Sequence, residues 1–98
     1  MIKLAFLARF EAKPGKEQAV AEFLEVALDM AKKESTTINW YAIRLSPTTF
    51  GVFDTFNDET GRERHLNGPI GQALMAKAPE LFSSPPSIMP VEVLGTKN

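Results

Sequence analysis

The chain has 98 residues, a formal net charge of −1 and no cysteine. That length is one domain, 1–98, burying roughly 60–68% of the surface its unfolded form exposes. Without thiols there is no disulfide frame, cysteine nucleophile or thiolate metal site. Eleven Lys plus Arg against twelve Asp plus Glu give no field to draw in nucleic acid or an anionic membrane, and one histidine is too few for a transition-metal site.

From Ile2 to Lys13 the residues alternate, with Ile2, Leu4, Phe6, Ala8 and Phe10 on one side, which predicts a strand. Arg9 and Glu11 interrupt its apolar run and no small-residue cleavage pattern follows, so it does not read as a secretion signal and the protein is expected in the cytoplasm. Pro14-Gly15 ends the strand. Ala19, Val20, Phe23, Leu24, Ala27, Met30 and Ala31 then recur three or four apart, which predicts an amphipathic helix from about Lys16 to Glu34. INWYAIRL and TFGVFDTF, turned by Ser46-Pro47-Thr48-Thr49, form a hairpin. If Leu45 pairs with Phe50, Tyr41 shares a face with Asp54; a loop one residue shorter puts Trp40 there instead. The sequence leaves this register open. Asn57 or Asp58 caps a second helix, which Gly68-Pro69 interrupts after Leu66-Asn67. It resumes from about Ile70 to Lys77, and Pro79 and Pro85-Pro86 punctuate a loop. SIMPVEVLGTK closes the chain as a strand whose Pro90 belongs on a sheet edge or at a bulge.

This order is βαββαβ, the ferredoxin-like arrangement with a four-stranded antiparallel sheet. Helices cover only one face of such a sheet, yet strand one and the hairpin carry large apolar groups on both. The expectation is a second sheet against the bare face, pairing two copies into a homodimeric α+β barrel.

Two residues stand out for chemistry. His65 is the only side chain whose ordinary pKa lies near neutrality, and Gly61, one turn earlier, leaves room beside it for a role as general base. Asp54 sits inside a β-forming run and, if buried, needs a donor from Tyr41, Trp40, Arg44, Arg62 or His65. An Asp–His pair would fix one imidazole tautomer and raise its pKa. Each reading has a bland competitor: a helix-face histidine bonded to a carbonyl, and an acid salt-bridged to arginine. Trp40 and Tyr41 offer an N–H and an O–H to a planar ligand, though adjacent strand residues face opposite ways, and sheet aromatics are more often core. Phe50-Gly51-Val52-Phe53 echoes an RNA-recognition strand, but Thr48 stands where its basic residue belongs and Val52 where its second aromatic does.

Taken together, ARFEAKPGKEQAV, WYAIRL, FGVFDTFNDETGRERHL and PVEVL resemble the antibiotic biosynthesis monooxygenase family of the dimeric α+β barrel superfamily, over nearly the whole chain. The resemblance implies a homodimer with each pocket between a sheet and its own helices, and oxidation of quinols, anthrones and related aromatics by molecular oxygen with no cofactor and no metal. His65 matches the histidine common on the family's second helix, and Phe56 stands at the strand end where several active members have tryptophan. The heme-degrading branch needs an Asn on strand one, that Trp and a later helical His; strand one here has no Asn, position 56 is Phe and His65 is the only histidine, so the resemblance disfavours heme degradation. The expectation is a cofactor-independent monooxygenase-like enzyme for a small planar phenolic or quinol compound. His65 and Asp54 are its candidate catalytic pair, and Trp40, Tyr41, Arg44 and Phe56 its candidate substrate contacts. The alternative is a non-catalytic dimeric barrel binding a small apolar molecule, with an apolar cavity and no acid–imidazole contact.

Overall fold

The structure, a computed structural model, describes residues 4–97, so Ile2 and Lys3 of the predicted first strand lie outside the described residues. Its elements are β1 (Leu4–Glu11), α1 (Glu17–Ala31), β2 (Thr37–Arg44), β3 (Thr49–Phe56), α2 (Glu59–Leu66), α3 (Pro69–Leu81) and β4 (Ser87–Glu92). The strands form one antiparallel sheet in the order β2-β3-β1-β4, the predicted ferredoxin-like topology. No helix among the described residues is long and apolar enough to cross a membrane.

Each boundary has a local cause. β1 gives way at Gly15, whose φ of +85° is a left-handed conformation that glycine adopts without strain. α1 buries Val20, Leu24, Ala27 and Ala31 on the sheet, and stops short of the predicted Glu34. There the apolar stripe ends, and Lys33 N–H and Glu34 N–H reach back only three residues, to the Met30 and Ala31 carbonyls. Asp58 caps α2 by accepting from Gly61 N–H at 2.8 Å.

α3 is longer than expected and carries Pro79 inside it. The N–H that proline lacks would have met the Met75 carbonyl; both residues are exposed, so solvent can serve that carbonyl. The extra turn brings Leu81 and Phe82 into the core, where Phe82 stacks on Phe10 with ring centroids 5.1 Å apart.

The hairpin takes the shorter loop. Arg44 pairs with Phe50 and Trp40 with Asp54, and the register with Leu45 opposite Phe50 does not form. Ser46 Oγ accepts from the N–H groups of Thr48 and Thr49 at 3.3 and 3.0 Å, closing the turn over three residues, while Leu45 N–H reaches the Thr49 carbonyl at 2.8 Å. Trp40, Asp54, Phe6 and Pro90 thus form one row across the helix-covered face. Tyr41, Phe53, Leu7 and Met89 form the neighbouring row on the open face. Pro90 lies on an edge strand, as its missing N–H requires. On β2 the ladder slips between Thr37 and Asn39, so Thr37, with Ile38 bulged out, stands opposite Phe56.

Candidate functional site

Asp54 is 2% exposed in the middle of the sheet, and His65, 7% exposed, descends onto it from α2. The imidazole Nε2 lies 2.7 Å from Asp54 Oδ2. Its other nitrogen, Nδ1, lies 2.6 Å from Glu34 Oε2 and 3.1 Å from Thr37 Oγ1. The Thr37 hydroxyl donates to the same Glu34 oxygen at 2.9 Å, leaving its lone pair for the ring N–H. Two carboxylates therefore grip one imidazole from opposite sides.

That geometry decides the proton count. A neutral imidazole would turn one lone pair against a carboxylate oxygen, whereas the imidazolium donates an N–H to each. Burial by itself disfavours the charged ring, but the hydrogen bond and charge of Asp54, followed by those of Glu34, outweigh it and hold the pKa above its ordinary 6.5. The contacts are also too short for an ion to sit between ring and carboxylates, and no metal-holding cluster occurs among the described residues.

The remaining polar atoms point elsewhere. Asp54 Oδ1 and Trp40 Nε1 are both buried without a hydrogen-bond partner among the described residues. Each such atom costs about 1–3 kcal/mol relative to a satisfied one. Both residues line the same cavity, of about 50 Å³, whose other walls include Phe6, Leu24, Ile70 and Leu74. Being cross-strand partners on one face, their Cβ atoms stand about 4.5–5.5 Å apart. Two lining residues thus each carry an unmet polar atom, one an acceptor and one a donor, beside His65 and otherwise apolar side chains.

Gly71 closes that space from α3. A Cβ there would lie 2.2 Å from the Leu66 carbonyl oxygen, so only glycine lets the first turn of α3 pass so close to the end of α2, beside His65. Gly61 does not make room beside the imidazole as the sequence suggests; the space at its Cα is bounded by Asp58 and Thr36.

The other candidates lie outside this cavity, and Tyr41 and Arg44 line, with Trp40, a separate groove between α1 and β2. Phe56 is fully buried behind His65, with ring centroids 5.2 Å apart, and does not line the cavity. Tyr41, 54% exposed, lies on the open face. Arg44 donates to the Pro47 carbonyl at 3.0 Å and lies over Phe50, while Arg62 turns to Glu59 and to the Phe6 ring, so neither arginine is the partner of Asp54. His65 has both ring nitrogens engaged by carboxylates, and it lines the cavity together with Asp54, whose Oδ1 is unpaired. Glu34 and Thr37 were not singled out by the sequence. A carboxylate beyond the last apolar residue of a helix, in a chain with one histidine, was the available signal.

No protein-family model matches the chain, and no curated protein matches it. Solved structures do. The NE2512 protein of Nitrosomonas europaea, of unknown function, is 56% identical over 100% of this chain and 95% of its own, with a TM-score of 0.96. A second Nitrosomonas europaea protein, provisionally named an antibiotic biosynthesis monooxygenase, is 12% identical over 94% of this chain and 90% of its own, with a TM-score of 0.83. A further solved antibiotic biosynthesis monooxygenase superposes with a TM-score of 0.79 at 12% identity, over 94% of this chain and 99% of its own.

Proposed function

Because the chain belongs to the family of the Nitrosomonas europaea NE2512 protein and has the fold found in antibiotic biosynthesis monooxygenases, we propose that it is a cofactor-independent, monooxygenase-like enzyme. Its substrate class is a small planar phenolic or quinol compound. One observation carries the reading: Trp40 and Asp54, each with an unmet buried polar atom, line the same cavity. A hydroxyl satisfies both at once, accepting from the indole and donating to the carboxylate. An alkyl group satisfies neither.

In this reading Asp54 Oδ1 takes the hydroxyl proton, and the imidazolium on Oδ2 stabilises the carboxylate before that transfer. The resulting phenolate is electron-rich enough for a ring carbon to bond to dioxygen, which is reduced to the peroxide level. The peroxide takes back the proton from Asp54. Cleavage of the O–O bond, with loss of the hydrogen on the same ring carbon, releases water and leaves a carbonyl. A phenol and dioxygen thus become a quinone and water, with one oxygen atom in each product. His65 tunes Asp54 in place of acting as the base itself.

The apolar row on the open face supports a homodimer, which the family resemblance also implies. A barrel that only binds an apolar molecule has no need of an acid–imidazole contact, and the 2.7 Å contact here argues against it. The test is oxygen uptake with a panel of hydroquinones and naphthols. Asp54→Asn is expected to lower the rate by about 10²–10⁴-fold, the usual contribution of a general base. An unchanged rate removes Asp54 from the chemistry.

A further inference from the structure

The cavity at Asp54 shares a wall with a larger space. On the far side of Trp40 and Leu24 lies a groove of about 390 Å³ between α1 and β2, lined also by Leu28, Ala42, Arg44 and Phe50. Trp40 and Leu24 touch both spaces. The inner one, at about 50 Å³, is far below the roughly 150 Å³ of a cavity that accommodates benzene. A hydroxyl fits there and the ring that bears it does not.

Trp40 packs on the core through its ring carbons but is not tied there by a hydrogen bond. The indole N–H has no partner to give up if the ring turns, and Trp40 stands on β2, an edge strand. Two places further along the same face is Ala42, too small to hold the indole from that direction.

We propose that Trp40 and Leu24 are a gate between the two compartments, which part to admit one hydroxylated aromatic of two or more fused rings. This rests on the reading of Asp54 given above. The hydroxyl lies in the inner space at Asp54, and the rings pass between the indole and Leu24 into the groove, where Phe50 and Leu28 offer apolar surface. The ligand is then long, flat and polar at its inner end.

Trp40 is the only tryptophan of the chain, so its indole N–H gives a single NMR resonance and its ring a single fluorescence signal. The probes are 1-naphthol and 1-methoxynaphthalene, titrated by calorimetry and followed at the indole N–H. Both should displace that resonance, and Leu24→Ala should speed association of both by about tenfold. Leu24→Val replaces it if the alanine variant does not fold. Naphthol binding that leaves the indole resonance unmoved, or an association rate unchanged by the Leu24 variants, overturns the gate, as does failure of wild type and variant alike to bind either probe. Equal affinity for naphthol and its methyl ether is a different failure: it removes hydroxyl recognition at Asp54 and leaves the gate standing.

Discussion

Two rows of side chains lie one residue apart in this sheet. Trp40, Asp54 and Phe6 face the helices, and Tyr41, Phe53 and Leu7 face away. The inward row holds an ionised group, Asp54, and the outward row holds none, the reverse of what burial alone would arrange. An ion cluster under helices is costly unless every member is paired, and here every member is, with Asp54 Oδ1 its one buried atom left unmet among the described residues. Apolar groups in the open, with Tyr41 54% and Met89 49% exposed, call for cover of their own. The buried acid–imidazole cluster is inside and the exposed apolar surface is outside.

The contrast can be broken from either side. The largest expected effect is on the outer row: Phe53→Glu places a charge amid Leu7, Tyr41 and Ile43, and should weaken self-association by about 30-fold or more, read by sedimentation against wild type. A wild type that sediments as a monomer at all concentrations removes the premise.

The inner row offers a subtler change. His65 has a raised pKa when folded, so its stabilising contribution is complete below the ordinary value near 6.5 and is lost as pH rises through the higher folded value. The groups facing the ring are Asp54 from β3, Glu34 from the turn after α1 and Thr37 from β2; the α2 cation Arg62 is directed to Glu59 and Phe6. Glu34→Gln should lower the His65 titration midpoint in NMR, and denaturation curves across pH should lose less stability above pH 6.5, the loss ending at a lower pH than in wild type. An unmoved midpoint would show that Glu34 does not govern the proton. Smallest of all is Tyr41→Phe, which keeps the ring that borders the groove and removes only its hydroxyl, and should leave stability within about 0.5 kcal/mol by denaturant titration. A marked loss of ligand binding by calorimetry would show that the Tyr41 hydroxyl contacts the ligand.

The strand and helix order was legible because its periodicities are strong and each break carries Gly, Pro, Ser or Asp. What stayed hidden depended on offsets of one residue. Whether Trp40 or Tyr41 adjoins Asp54 turned on a three-residue loop closed by Ser46, which propensity does not specify. Thr37 reaches His65 only because Ile38 is bulged out; simple alternation would have given that place to Ile38. Glu34 looked like the last residue of a helix that ends at Ala31. The pairing of His65 with Asp54 was accessible because both are chemically conspicuous, whereas the occupation of both ring nitrogens required the turn and the bulge together.

Both margins of the sheet are irregular. β4 carries Pro90, which offers no N–H, and β2 carries the bulge beside Asn39. A strand from another molecule arriving at either side meets an interrupted ladder, so lateral growth into fibres is discouraged at both ends. Stacking through the flat of the sheet remains, and that mode consumes the surface it uses. Assembly of this kind would stop at a pair.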